Sequence, residues 1–115
     1  MMRFAIVLAA LLVTMPTHAQ ADLKATVAAA RADAAQRSGL PAAQLAVVSA
    51  ESVTWPDVSL GCPKPDMMYT QALVPGFRVR LKVGKEVWDY RAGERGGLVL
   101  CPPGRAQEPL PDSKK

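Results

Sequence analysis

The sequence predicts an α+β fold, in which one N-terminal helix packs on a small antiparallel sheet of four to five strands with one disulfide. Three observations support this prediction. Apolar residues recur at helical spacing within residues 22–38, and alternating or β-branched segments follow from residue 45 onwards. Two cysteines, Cys62 and Cys101, occur in a short chain that begins like an exported protein. One helix followed by several strands is the element order of an α+β domain.

The first 21 residues are predicted to be a secretory signal peptide. Arg3 provides a short positive start, and residues 4–15 form an apolar run of 12 residues with a single threonine. Small residues then lead to two cleavage points, after Ala19 or after Ala21. The apolar run is shorter than the roughly 20 residues that span a bilayer, so we expect no transmembrane segment after cleavage. We therefore expect export to the periplasm or the medium, the alternative being a buried helix at the start of a cytosolic domain.

The part of the chain that remains after cleavage is small. Removal of residues 1–21 leaves 94 of the 115 residues, enough for a single domain that spans residues 22–101 and is expected to be a monomer. Residues 102–115 are rich in proline and polar side chains, and we predict that they form a disordered tail. The formal net charge of +4 falls to +3 when Arg3 is removed, a mild excess that favours no nucleic-acid partner.

The helix is predicted over residues 22–38. Asp22 is placed to act as its N-cap, and Gly39 supplies the usual C-terminal stop. The apolar stripe of the helix consists of Leu23, Val27, Ala30 and Ala34. Because half of these side chains are alanine, we expect the helix to lie close against a sheet.

The first two strands are predicted over residues 45–53 and 69–74. The first segment is β-branched and roughly alternating. Pro75 and Gly76 follow the second segment, and they fit the central positions of a type II turn, in which the glycine takes a positive φ.

The clearest strand is predicted over residues 77–83. One face carries Phe77, Val79, Leu81 and Val83, and the other carries Arg78, Arg80 and Lys82. Gly84 and Lys85 are predicted to form a hairpin loop of type II′. The return strand follows over residues 86–91, and residues 98–101 form a last short strand.

Residues 58–68 contain one glycine and two prolines and cannot form regular structure. A loop of about ten residues often carries function when it is held rigidly. We predict that it contacts a partner through Lys64, Asp66, Met67 and Met68. The competing site is the basic face of Arg78, Arg80 and Lys82, for which the plainer interpretation is a solvated side of the sheet.

The two cysteines are most simply one disulfide between Cys62 and Cys101. This bond would enclose about 39 residues, and the chain-entropy treatment gives it a stabilising effect of about 4 kcal/mol. A catalytic redox pair is one alternative, but the usual C-x-x-C spacing is absent. A copper(I) site with Met67 and Met68 is another, although adjacent methionines more often fill gaps in a core. We predict no metal and no cofactor.

The mature chain is predicted to contain no histidine, because His18 is the only one and leaves with the signal peptide. Without histidine, the chain can form neither a Ser-His-Asp or Cys-His pair nor a zinc site of the usual kinds. Asp57 and Asp66 flank the cysteine of the loop, but paired carboxylates hydrolyse glycosides at the edges of a deep cleft, for which a chain this short leaves little room. We therefore expect a protein that is not an enzyme.

A recognisable set of motifs begins with the run W-P-D-x-S-L-G-C-P from Trp55 and continues with Met68-Tyr69-x-Gln71, Pro75-Gly76-Phe77 and the late Cys101. With these motifs, residues 45–101 resemble a family of small exported bacterial proteins. In that family the position of Phe77 is usually tyrosine, and a Tyr-His pair often ends the strand near Tyr90, where this chain has Arg91 instead. The order of one helix and a strand meander is also similar to PepSY-type periplasmic domains, and this second resemblance implies an inhibitory or regulatory module.

These features predict a small exported binding module without enzymatic activity, which recognises a protein or another envelope component through residues 58–68. An inhibitor would be one form of such a module. The alternative is a structural or stress-related envelope protein without a discrete ligand. A small hydrolase or a metal carrier is the third hypothesis.

Overall fold

A computed structural model describes residues 18–111, with residues 18–21 as backbone only. In this part of the chain, one helix packs on a four-stranded antiparallel sheet, and one disulfide joins Cys62 to Cys101. The predicted fold class is therefore confirmed, with four strands. The positive start and the apolar run of the predicted signal peptide lie outside the described residues, as do residues 112–115.

Helix α1 spans His18–Ser38. It ends where the sequence predicts, because Gly39 takes a φ of 75° and its amide donates to the carbonyl oxygen of Ala35 at 2.9 Å. The predicted start is wrong. Asp22 lies inside the helix instead of capping it, and its carbonyl oxygen accepts a hydrogen bond from Thr26 Oγ1. Among the described residues, no helix has both the length and the apolar content that crossing a bilayer requires.

The sheet is a meander in which each strand pairs with its neighbours in the chain. Its strands are β1 (Ala46–Trp55), β2 (Val74–Val83), β3 (Glu86–Gly93) and β4 (Gly96–Cys101), antiparallel and in the order β1-β2-β3-β4. The chain turns between β2 and β3 at Gly84, whose φ of 61° fits the predicted type II′ turn. Short 3₁₀ turns at Ala42–Gln44 and Pro103–Arg105 precede β1 and follow β4.

One face of the sheet packs on α1. Ala30 and Ala34 of the helix are fully buried. The sheet side of this core contains Val79, Leu81, Val83 and Tyr90. The alternation predicted for β2 is therefore confirmed. Tyr90 Oη donates a hydrogen bond to Asp33 Oδ2 at 2.8 Å, and burial together with this bond raises the pKa of the phenol above its usual value.

The segment before β2 differs from the prediction. Residues 69–73 form no strand, and β2 begins one residue before Pro75 and continues through Gly76. The predicted type II turn is therefore wrong. A Cβ atom on Gly76 would stand 2.0 Å from the carbonyl oxygen of Ala92 in β3. The glycine is needed for close approach within the sheet, and not for a turn.

Residues 102–111, which we call the strap, cross the face of the sheet opposite α1. The amide of Gln107 donates to the carbonyl oxygen of Gly61 at 2.8 Å, and the amide of Leu110 donates to that of Thr54 at 3.0 Å. The prediction of a disordered tail is therefore wrong for this part of it. Disorder is predicted because the segment has few apolar residues. In the structure, backbone hydrogen bonds and an ion pair hold the strap, and neither of these depends on apolar side chains.

Candidate functional site

The disulfide fixes the 58–68 loop to β4. Cys62 and Cys101 are both buried, with their Cα atoms 5.8 Å apart, and they are 39 positions apart in the sequence. The predicted pairing is confirmed. Because β4 is part of the sheet, the bond gives the first half of the loop a fixed position.

Local hydrogen bonds shape the start of the loop. The Asp57 carboxylate accepts a hydrogen bond from the amide of Ser59 at 2.8 Å, which is a common role of aspartate in turns. The chain then reverses through two positive φ angles, 58° at Leu60 and 66° at Gly61. A positive φ is unfavourable for leucine, so contacts from elsewhere have to stabilise this conformation.

Arg91 supplies those contacts. Its side chain is fully buried, and Nη1 donates to the carbonyl oxygens of Leu60 at 3.3 Å, of Gly61, and of Gln107 in the strap at 2.7 Å. The guanidinium lies over the indole of Trp55, 4.9 Å from the ring centroid. A Cβ atom on Gly61 would approach Arg91 Nη1 to 2.5 Å, so glycine is required here for space as well as for φ.

Asp89 joins Arg91 to Arg78, and we call these three residues the arginine–aspartate cluster. Asp89 Oδ2 accepts hydrogen bonds from Arg78 Nη2 at 2.8 Å and from Arg91 Nη2 at 3.0 Å. Burial is the largest single influence on the pKa of Asp89 and opposes ionisation, but the hydrogen bonds and charges of the two arginines together hold this pKa below its usual value. The hydrogen bond to Asp89 in turn raises the pKa of Arg78. The cluster combines two guanidinium groups with one carboxylate, which leaves one positive charge in excess.

The residues of the predicted basic face do not share one exposed surface. Arg78 lies on the side of the sheet opposite α1, as the alternation indicates, but it is only 4% exposed because the strap covers it. Arg80 is half-buried, and its Nε donates to Ser49 Oγ at 2.8 Å. Of the three, Lys82 alone is exposed. Strand alternation assigns a side chain to a face, and it does not show whether that face is covered.

The four residues predicted to contact a partner lie together at the exposed tip of the 58–68 loop. These are Lys64, Asp66, Met67 and Met68. Met67 is 55% exposed and Met68 is 98% exposed. Tyr69 closes the tip, because its hydroxyl accepts a hydrogen bond from the amide of Lys64 at 3.0 Å and donates one to Met67 Sδ at 3.8 Å. The role of these residues in binding stays a prediction.

No group of three or more His, Cys, Asp or Glu side chains is arranged to hold a metal ion within residues 18–111. The exposed thioethers of Met67 and Met68 are of the type that suits copper(I). Cys62 and Cys101 cannot join them as ligands while the disulfide is intact.

The sequence does not predict the groove that lies beside the loop. The groove has a volume of about 660 Å³ and separates the loop region from the turn between β3 and β4. Its walls include Val58, Leu60, Leu73 and Val74 on one side and residues 93–97 on the other. These apolar residues occur in a proline-containing segment without periodicity, so the pattern gives no signal of which of them pack and which stay exposed.

The comparison with known families covers most of the domain described above. A family described as a domain of unknown function, DUF8738, matches residues 27–101, from within α1 to the second cysteine. The chain belongs to this family. No curated protein and no solved structure matches the chain.

The DUF8738 match contains the whole sheet, both cysteines and the arginine–aspartate cluster. It ends at Cys101, so the strap lies outside it. The family description names neither export nor a PepSY-type module, and both resemblances stay predictions.

Proposed function

We propose that the protein is an exported binding module without enzymatic activity, which recognises a partner protein through the 58–68 loop and the residues beside it. One observation carries the proposal. Of the seven large apolar side chains that are exposed among the described residues, four lie in this region: Val58, Met67, Met68 and Leu73. Apolar side chains that are exposed together commonly mark an interaction site.

The loop is suited to binding because its base is fixed before any contact is made. The disulfide, the turn at Asp57 and the hydrogen bonds from Arg91 all hold that base. A preorganised loop loses little conformational entropy on docking. The methionines at the tip add adaptability, since a flexible and polarisable thioether side chain fits an irregular apolar surface.

Charges border the apolar part of the tip. Lys64 and Asp66 are both exposed, one on each side of Pro65. Charged groups at the rim of an interface contribute more to association rate and orientation than to affinity. The partner surface that we infer is therefore an apolar patch bordered by one acidic and one basic group.

Replacing Met67 and Met68 by serine is expected to weaken capture of the partner by about tenfold or more, which corresponds to about 1.4 kcal/mol. The melting temperature should stay unchanged, because surface substitutions usually cost less than about 0.5 kcal/mol. Capture is measured by pull-down from periplasmic extract, followed by titration of the captured protein. The matched control is replacement of Val47 and Val48 by serine, since these side chains are exposed at the start of β1, away from the loop.

A companion variant, Lys64→Ala with Asp66→Ala, is expected to fold normally and to associate more slowly. Capture that neither loop variant weakens would contradict the proposed site. If even the wild-type chain captures nothing, the structural envelope protein without a discrete ligand becomes the better interpretation.

Export is part of the proposal, and the disulfide supports it because such bonds persist in oxidising compartments. In a Gram-negative host, the full chain is expected in the periplasmic fraction with its N-terminus at Gln20 or Asp22, as determined by mass spectrometry. A control with Leu11→Arg in the apolar run should stay in the cytosol. Wild-type protein that keeps Met1 and remains in the cytosol would contradict export.

A further inference from the structure

Without the strap, the charges of the arginine–aspartate cluster do not balance. Arg78 and Arg91 contribute two positive charges, and Asp89 contributes one negative charge. Both arginines are buried. Because the strap itself covers Arg78, this burial exists only while the strap is in place, and an excess charge buried in this way is unfavourable unless a further anion pairs with it.

Glu108 of the strap supplies this anion. Arg78 Nη1 donates to Glu108 Oε2 at 2.7 Å, and Nη2 donates to Oε1 at 3.3 Å, so the pair is bidentate. The Glu108 side chain is nevertheless 71% exposed, whereas that of Asp89 is largely covered. Water and salt screen the exposed pair more strongly, so this carboxylate is held less firmly than Asp89.

The residues on either side of this carboxylate are held by their backbone. Arg91 Nη1 donates to the carbonyl oxygen of Gln107 at 2.7 Å, and the amide of Gln107 donates to that of Gly61 at 2.8 Å. The amide of Leu110 donates to the carbonyl oxygen of Thr54 at 3.0 Å, and the proline between these two anchor points is buried. Extended peptide ligands are held in the same way, with the backbone giving position and particular side chains giving specificity.

The family match gives a second observation about the strap. The match to DUF8738 contains Arg78, Asp89 and Arg91 and ends at Cys101, so the strap lies outside it. The strap contains too few apolar residues to fold by itself. A segment of this kind can open without unfolding of the domain.

We propose that the arginine–aspartate cluster under the strap is a recognition site for an extended acidic segment of a partner protein, and that residues 107–110 occupy it as an intramolecular competitor. The chemistry recognised is a carboxylate side chain followed by proline and an apolar residue, as in the strap sequence Gln-Glu-Pro-Leu. This cluster is distinct from the tip of the 58–68 loop, and the proposal does not depend on the function proposed above.

The competition determines what a binding experiment should show. A segment tethered by a short linker acts at an effective concentration on the order of millimolar. A free peptide therefore has to compete with the strap in the wild-type chain. Weakening the strap at Glu108 should make the arginine–aspartate cluster available to a free peptide that keeps the glutamate.

The test uses the full chain and two synthetic peptides. The probe is acetyl-Ala-Gln-Glu-Pro-Leu-Pro-amide, and the control peptide has glutamine in place of glutamate. Wild-type protein and the variant Glu108→Gln are titrated, and binding is followed by NMR through the Nε–H signals of Arg78 and Arg91. The glutamate peptide is expected to bind the variant about tenfold more tightly than the wild type, and about tenfold more tightly than the glutamine peptide binds the variant.

Two outcomes of the titration would overturn the recognition site. One is the absence of any shift in the arginine signals of the variant at about 5 mM glutamate peptide, and the other is equal binding of the two peptides. Equal affinity of the glutamate peptide for wild type and variant would overturn the competitor role of the strap.

Hydrogen exchange gives a second measurement that needs no variant. In the wild-type chain, the amides of Gln107 and Leu110 are expected to exchange about a hundredfold faster than that of Val79 in the middle of β2, because the strap opens locally. Equal protection of all three amides would show that the strap opens only when the whole domain unfolds, and would overturn the proposal.

Discussion

Replacement of Arg91 by methionine is expected to lower the free energy of unfolding by about 3–5 kcal/mol, a large fraction of the total for a small domain. The guanidinium is fully buried, and its loss removes a charged donor from the carbonyl oxygens of Leu60 and Gly61. Leu60 would then keep its unfavourable positive φ without the contact that stabilises it. The change is measured by urea denaturation at neutral pH with the disulfide intact.

Two further variants separate the effect of position from the effect of charge. Arg95 is exposed in the turn between β3 and β4, and Arg95→Met should change the stability by less than about 0.5 kcal/mol. Arg91→Lys should give an intermediate loss, because lysine keeps the charge but lacks the planar set of donors. An Arg91→Met chain within about 1 kcal/mol of the wild type would show that other contacts hold the loop.

Replacement of Cys62 and Cys101 by serine is expected to have an effect of similar size, about 4 kcal/mol, and to lower the melting temperature by more than about ten degrees. The bond links residues 39 positions apart, so its removal allows the unfolded chain many more conformations. The melting temperature is measured by calorimetry. Mass spectrometry of the native wild-type protein should show a linked peptide pair and no free thiol.

Chemical reduction of the wild-type chain is the control for this pair of substitutions. It removes the same bond without introducing hydroxyl groups into a buried position, so it should give nearly the same loss of stability. Two reactive thiols in the native protein would contradict the pairing. They would return the redox and metal hypotheses to consideration.

The elements of the fold could be predicted because their signals are local. The end of α1 follows from Gly39 and the apolar stripe before it, and the two faces of β2 follow from its alternation. The disulfide could be predicted because the chain has two cysteines and its N-terminus predicts export to an oxidising compartment. The end of the helix and the faces of the strand depend only on residues that are close in sequence. The pairing in the disulfide depends only on the number of cysteines, because two cysteines can form one pair.

The arginine–aspartate cluster could not be predicted in the same way. Alternation places Arg78 on the face opposite α1, but only the fold shows that the strap crosses that face and covers it. The contacts of Arg91 with the 58–68 loop join residues that are about 30 positions apart in the chain. A charged residue in an alternating strand gives the same sequence signal whether it is solvated or buried among partners.

Gly76 shows a different limit of sequence patterns. Pro-Gly is a strong turn signal, yet here the glycine is required because the backbone of β3 comes too close for a Cβ atom. Both requirements select the same residue type. The choice between them depends on a neighbouring strand that lies outside the local window.

The meander order of the sheet also bears on how the chain reaches its native state. Each strand pairs with the next along the chain, and β2 and β3 are joined by a turn of two residues. Hairpins with short turns form faster than pairings between strands that are far apart in the chain. We therefore expect the β2–β3 hairpin to form before oxidation links the two thiols. We expect the covalent bond to slow unfolding of a sheet that has already formed, and to have little part in guiding its assembly.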